Sequence, residues 1–266
     1  MNNFQILDTK NKKWDEYLNI FNNNINDIFY TREFASLAQS TIYKDHKVIC
    51  LIANSGYDVI ICPVVKREFK YLNSSFNDLT SLYSNSGPII NNNSNNDLKN
   101  FFEKKLNLFC KNEKIINYFI RYNPLLYDNS IFPKNAEVHE TGEFVYVNLK
   151  KLIKPFIKNF SYRHVKSIQK AINNNIKILT SNEKSKILKF CQLYYKEMYL
   201  KKAEKFYFFD KNFFINLKKN KINYQFFFAM FENKIISCEL VLYSKEFCHS
   251  YLGATDAKFR NLCPNH

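Results

Sequence analysis

Tyr224-Gln-Phe-Phe-Phe-Ala-Met-Phe231, Lys234-Ile-Ile-Ser-Cys-Glu-Leu-Val-Leu-Tyr243 and Phe247-Cys-His-Ser-Tyr-Leu-Gly-Ala254 follow one another with only Glu232-Asn233 and Ser244-Lys245-Glu246 between them. Apolar, aromatic-rich runs of this length, separated by two or three polar residues, predict three antiparallel strands joined by hairpin loops. Working back toward the N-terminus, the spacing predicts a short helix over 211–217 and a long one over 183–200. A strand is expected over 176–179 and a basic helix over 163–172. The alternating stretch Glu143 to Leu149 reads as a further strand that opens this half of the chain.

The first half repeats the order. Phe4 to Leu7 reads as a strand and is followed by helices over 14–21 and 32–39. Strands over 46–53 and 57–66 are joined at Asn54-Ser55-Gly56, a tight-turn signal. A strand near 79–84 comes next. The stripe Leu98, Phe101, Phe102, Leu106 and Phe109 predicts a helix over 97–111, and a strand over 117–121 closes the set. Element order therefore divides the chain into residues 1–140 and 141–266.

The 266 residues are long enough for one large core or two small ones, since domains commonly hold ~100–150 residues. Hydrophobic residues are 46% of the total, with 26 Phe and 18 Tyr, which excludes a disordered chain. The start, Met1-Asn2-Asn3-Phe4-Gln5, lacks the basic and apolar regions of a signal peptide, and no uncharged apolar run approaches the ~18 residues of a membrane span. The seven cysteines, at 50, 62, 110, 191, 238, 248 and 263, form no C-x-x-C pair. Their number and scatter point to a reducing, cytoplasmic setting and to roles as small core residues. No nucleophile elbow and no metal-ligand spacing occurs, so covalent and metal catalysis are disfavoured and no metal residue is expected.

The net charge of +15 favours anionic partners, although a lysine-rich composition alone would produce it. The charge does cluster. Between Lys150 and Asn182 there are eight Lys or Arg and no Asp or Glu. On the expected helix Arg163, Lys166 and Lys170 share one face, and Val165, Ile168 and Ile172 share another. The helix is expected to dock its apolar side and present three cations, either to an anion or simply to water. His249 and Tyr251, two apart on the last strand, share a face. They suit a proton shuttle beside a reacting amine, or plain packing in the sheet. Gly253 marks either a positive φ or a close approach of backbone to a ligand, and Asp256 is placed to cap the following turn. In the first half, Asp78 is the one carboxylate near Tyr83 and Gly87-Pro88 that is positioned to act as a base. Tyr83 itself reads equally as a core tyrosine before a turn.

Several segments in the same order resemble the Fem-type and related GNAT-like acyltransferases. They are His249-Ser-Tyr-Leu-Gly-Ala-Thr-Asp256 with Pro264-Asn265 after it, Tyr194-Tyr-Lys-Glu-Met198, Phe206-Tyr-Phe-Phe209 with Phe213-Phe214, and Arg163 to Ala171. The first half adds Ile28-Phe-Tyr30, Gly87-Pro88 and Arg121-Tyr-Asn-Pro124. The resemblance implies an α+β fold of two tandem GNAT-like domains, with mixed, largely antiparallel sheets and flanking helices. The second domain would be incomplete, because the chain ends where a further helix, strand and helix are expected. It also implies transfer of an acyl group from acyl-CoA or aminoacyl-tRNA, used as a co-substrate with no tightly bound cofactor, to an amine. The acceptor would be a small molecule such as an amino sugar or a cell-wall precursor, and tRNA would be a partner.

In that setting His249, Tyr251 and Asp78 are the catalytic candidates. Arg163, Lys166, Lys170, Tyr83 and Gly253 are the substrate- or phosphate-binding candidates. The competing readings are an inactive, truncated anion-binding fragment and a basic nucleic-acid-binding module, for which the chain carries no known motif. An incomplete second sheet would also leave Phe226, Phe228 and Leu240 uncovered, with poor solubility as the consequence.

Overall fold

The computed structural model of the chain describes residues 1–21, 27–83, 85–140, 142–152 and 154–266. Two compact units result. The first comprises Met1–His139, Asn216–Ile222 and Tyr243–Phe247, and the second Glu140–Ile215, Asn223–Leu242 and Cys248–His266. Among the described residues no helix is long and apolar enough to cross a membrane.

The first unit is organised on strands β1 (Asn3–Asp8), β2 (Lys47–Ser55), β3 (Asp58–Tyr71), β4 (Ser74–Ser81), β5 (Ile89–Ile90) and β6 (Ile115–Phe119). They pair in the order β1-β2-β3-β4-β6, with β5 on β3, antiparallel throughout except for β4 with β6. Gly56 makes the β2–β3 turn at φ +59°, where a side chain would be strained. Strands β2 and β3 are buried on both faces because helices cover both. On one face Ile49, Leu51 and Ala53 of β2 meet Leu98, Phe102 and Leu106 of α3 (Asn96–Asn112). Alternation turns Val48, Cys50 and Ile52 the other way, and α1 (Lys13–Ile20) and α2 (Arg32–Thr41) add Trp14, Leu18, Phe34 and Leu37 to the core.

Caps set the helix starts. Thr31 Oγ1 accepts from the Phe34 N–H at 3.3 Å and Asn95 Oδ1 from the Leu98 N–H at 2.9 Å. The strand expected near 79–84 instead starts at Ser74 and ends at Ser81, while Ser84 lies outside the described residues. Its hairpin with β3 turns at Leu72, φ +53°, a residue type that gives no turn signal.

The second unit has one sheet, in the order β10-β9-β8-β7, of β7 (Lys177–Thr180), β8 (Tyr224–Phe231), β9 (Lys234–Tyr243) and β10 (Cys248–Thr255). Glu232 and Asn233, at φ +46° and +61°, close the β8–β9 hairpin as a two-residue loop of the kind that matches strand twist. Helices α4 (Tyr162–Asn173), α5 (Lys184–Leu200) and α6 (Lys211–Ile215) accompany it.

The expectation that Phe226, Phe228 and Leu240 would be uncovered is overturned. All three are 0% exposed. Helices α5 and α6 lie on that face and bring Phe190 to 4.9 Å from the Phe226 ring and Phe214 to 5.0 Å from Phe190. Each such ring contributes about 1.5–3 kcal/mol of burial, so this face is a core and not a liability.

Glu143 to Leu149 is also corrected. It forms no strand, and Val145 and Leu149 remain 86% and 67% exposed. Alternation is a local property, but a strand exists only where another supplies its ladder, and none does among the described residues. The element that opens this sheet is β7. With that correction both sheets share one order: a strand, two helices, then an antiparallel three-strand meander whose first strand pairs with the opening one. The molecule is thus mixed α+β, with two sheets and flanking helices.

Candidate functional site

The geometry of the second unit centres on the neighbouring strands β9 and β10. Cys238, Leu240 and Leu242 of β9 are buried toward the helices, so Ser237, Glu239 and Val241 take the opposite face. Ser237 Oγ pairs with Thr255 Oγ1 at 2.8 Å. Ser250 donates a short hydrogen bond to Glu239 Oε1. The other carboxylate oxygen, Oε2, lies 2.1 Å from where a Cβ on Gly253 would stand. Ser250 and Gly253 are three apart and strict alternation would put them on opposite faces, yet both meet one carboxylate. An extra residue is therefore bulged out of β10 between them. Gly253 has no positive φ; it is glycine because a carboxylate rests on its backbone.

The same irregularity explains Tyr251, whose ring stacks on buried Phe213 at 6.0 Å with the planes 30° apart. His249 and Tyr251 are both half-buried. Burial pushes the Glu239 carboxyl above its ordinary range, and the Ser250 hydrogen bond works in the other direction.

The end of β10 is fastened to α5. Glu197, buried, accepts from the Thr255 N–H at 2.5 Å and pairs with Lys201 at 2.8 Å and Arg260 at 3.4 Å. Desolvation raises the Glu197 pKa, but the Lys201 and Thr255 hydrogen bonds and the charges of Lys201 and Arg260 outweigh it, so the net shift is downward. Asp256 caps the 3-10 turn Ala257–Leu262 by accepting from the Lys258 N–H at 3.2 Å, as its position suggested. It also pairs with Lys196 at 3.0 Å, which holds its carboxyl low.

Arg163, Lys166 and Lys170 are exposed along α4, and among the described residues none of them has an ion-pair partner. Lys166 Nζ sits 4.9 Å over the Tyr162 ring, which braces it along the helix. The expected docking of the apolar side is only partial. Val165 and Ile168 are half-buried, no residue of the helix is buried, and Ile172 is 56% exposed.

In the first unit both oxygens of Asp78 are engaged by Arg67, through Nε at 2.8 Å and Nη2 at 2.6 Å. Such a two-point fork fixes the guanidinium and the carboxylate against each other. Tyr83 is half-buried, and its backbone hydrogen-bonds the hydroxyl of buried Tyr43. Burial pushes the Tyr43 phenol up, while Arg67 and Arg121 pull the other way. Gly87 is locked between elements: its N–H donates to the Arg121 carbonyl at 2.9 Å and its carbonyl accepts from the Tyr30 hydroxyl at 2.9 Å. A Cβ there would stand 2.9 Å from the Tyr122 ring.

The structure thus gathers His249, Tyr251 and Gly253 on one strand and the three cations on one helix. Asp78 and Tyr83 belong to an arginine–tyrosine cluster of the other unit. Sequence reasoning missed Glu239, Glu197, Arg67 and Tyr43. For Glu239 a signal existed, since it is the one charge inside the apolar run Ile235 to Tyr243. Among the described residues no group of three His, Cys, Asp or Glu is arranged to hold a metal ion.

No family model matches the sequence, and no curated protein does. The fold is matched. The crystal structure of FemX is 10% identical over 99% of this chain and 83% of that one, with a TM-score of 0.62. At that identity the likeness is one of fold, and the chain has a Fem-type fold.

Proposed function

We propose that this chain is an N-acyltransferase of the Fem type, acting in the cytoplasm. In this reading an acyl or aminoacyl group passes from a phosphate-bearing donor, acyl-CoA or aminoacyl-tRNA, to the amine of a cell-wall precursor or amino sugar. The observation that carries the reading is the exposed row Arg163, Lys166 and Lys170, without ion-pair partners among the described residues, on a chain whose fold is that of FemX. Unpaired cations one helical turn apart fit a chain of phosphates. Arg163 offers a planar fork and the lysines act as point charges.

Transfer would be direct. The amine nitrogen attacks the ester or thioester carbonyl, the C–N bond forms, the C–O or C–S bond breaks, and the leaving group departs with a proton. His249 and Tyr251 lie on the strand where such a proton would be handled, and Tyr83 is the first unit's candidate for contact with the acceptor. Positioning supplies most of the acceleration in a reaction of this kind.

The test is transfer from radiolabelled aminoacyl-tRNA and acetyl-CoA to a panel of amines, with the triple variant Arg163→Glu/Lys166→Glu/Lys170→Glu alongside the wild type. Donor-dependent amide formation, with the donor KM raised by tenfold or more in the variant, supports the reading. Salt-sensitive RNA binding by the wild type without amide product would favour a nucleic-acid-binding module instead.

A further inference from the structure

We propose that Glu239, with Ser250 and the bulged strand around Gly253, is a binding site for a protonated primary amine. The chain has 39 Lys and Arg against 24 Asp and Glu, so a carboxylate that is half-buried and lacks a cation is against the odds. Glu239 is that carboxylate. Its one hydrogen bond among the described residues comes from the Ser250 hydroxyl, and no Lys, Arg or His pairs with it. Its burial disfavours the charge, and the Ser250 hydrogen bond offsets only part of that cost.

The surroundings explain why such a group persists. Alternation sets Glu239 on the sheet face away from α5 and α6, in a row that runs Thr180, Phe227, Glu239 across β7, β8 and β9 and ends at Gly253. Gly253 withholds a side chain on one flank. Phe227, 37% exposed, stands opposite in register on the other and offers a ring to a cation. Ser250 on β10 fixes the carboxylate from the exposed side. The other titratable groups near it are Cys238 on β9, which points into the core, and His249 and Tyr251 on β10. A compact ammonium group would meet a carboxylate with no ion-pair partner among the described residues, a hydroxyl and an aromatic face.

The site rests on the acyl-transfer reading for its meaning and deepens it, because the amine is then the acceptor. Bound as R–NH3+, it gives one proton to Glu239. The neutral nitrogen attacks the acyl carbonyl, and its second proton leaves with the thiol or alcohol. Glu239 then releases its proton to water, so that charge and atoms balance over one turnover.

The experiment uses the full chain with 13C-labelled glutamate and n-butylammonium as the probe, the Glu239 signal being identified by its loss in Glu239→Gln. The expected result is a carboxyl that titrates above the ordinary Glu range alone and returns toward it as n-butylammonium is added. Tetraethylammonium, which has no N–H, should produce a much smaller shift. Gly253→Ala supplies the second variant. Its Cβ would displace the far end of the Glu239 side chain and no backbone, so the chain should fold while the response to n-butylammonium falls at least tenfold. An ordinary titration unmoved by the amine, or an unchanged response in Gly253→Ala, overturns the site.

Transfer assays separate the two ideas. If the wild type makes amide and Glu239→Gln makes it equally well from pH 6 to 9, the site is wrong and the transferase reading stands. If the amine shifts Glu239 but no donor is consumed, the site stands and the transferase reading fails. If both hold, Glu239→Gln lowers kcat/KM roughly 100-fold or more, as loss of a proton acceptor does.

Discussion

Replacing Glu197 should loosen the second unit, and the structure says by how much. In Glu197→Ala the Thr255 N–H loses a charged acceptor at 2.5 Å, an interaction of about 1.5–3 kcal/mol. The Lys201 pair, with lysine 57% exposed, is worth about 0.3–0.5 kcal/mol, and the longer contact to exposed Arg260 no more. Two buried methylenes add about 0.8 kcal/mol each, while relief from desolvating the carboxylate works the other way. The net loss should be about 2–3 kcal/mol. Glu197→Gln keeps the methylenes and an acceptor for Thr255, so its cost should stay near 1 kcal/mol.

Because the chain has two units, a single unfolding transition is not assumed, and hydrogen exchange at the Thr255 amide is the local readout. Its protection should fall about 30- to 150-fold in the alanine variant, which is that free energy converted at 1.36 kcal/mol per decade. The sign with pH follows from linkage. The folded-state pKa of Glu197 is lowered, so between it and the unfolded value near 4.3 the unfolded chain binds more protons. The stabilisation is therefore complete above about pH 4.3 and is lost as pH falls through the lowered folded value, a loss that Glu197→Gln should not show. An alanine variant within 0.5 kcal/mol of wild type, or a glutamine variant as damaged as alanine, would refute the idea that this carboxylate fastens α5 to the end of β10.

Phe226→Ala should cost about 3–5 kcal/mol in urea denaturation because its ring is fully buried, whereas Phe227→Ala, 37% exposed, should cost less than ~1.5 kcal/mol. Tyr30→Phe removes a buried hydroxyl from the Gly87 carbonyl and should destabilise the first unit by about 1 kcal/mol, read as a shift in denaturation midpoint at constant slope. Cys248 is the exposed member of the seven cysteines, so it should react first with a thiol reagent in the native protein. Burial of its surroundings raises its pKa, so that rate should go on climbing above pH ~8.5, and Cys248→Ser should remove the fast phase.

The hairpins, the helical stripes and the cap at Asp256 were readable residue by residue, because each depends on neighbours a few positions away. Glu232-Asn233 turns where two polar residues split two apolar runs, and Leu98, Phe102 and Leu106 form one stripe at helical spacing whatever they pack against. The hairpin at Leu72 escaped because no glycine, asparagine or aspartate announced it until Asn73.

What tertiary structure decided was everything that needs a partner far away in the chain. Glu143 to Leu149 alternates as well as many strands do, yet it has no ladder, while the shorter Lys177–Thr180 opens the sheet because Phe227 to Met230 receives it. The aromatic face expected to lie bare is closed by Phe190 and Phe214, which come from helices whose position no periodicity specifies. Gly253 illustrates the division most directly. Sequence alone left a positive φ and a close approach of its backbone to a ligand equally open. Only the folded sheet shows that the Glu239 carboxylate makes the approach, because strand register and a one-residue bulge are long-range facts.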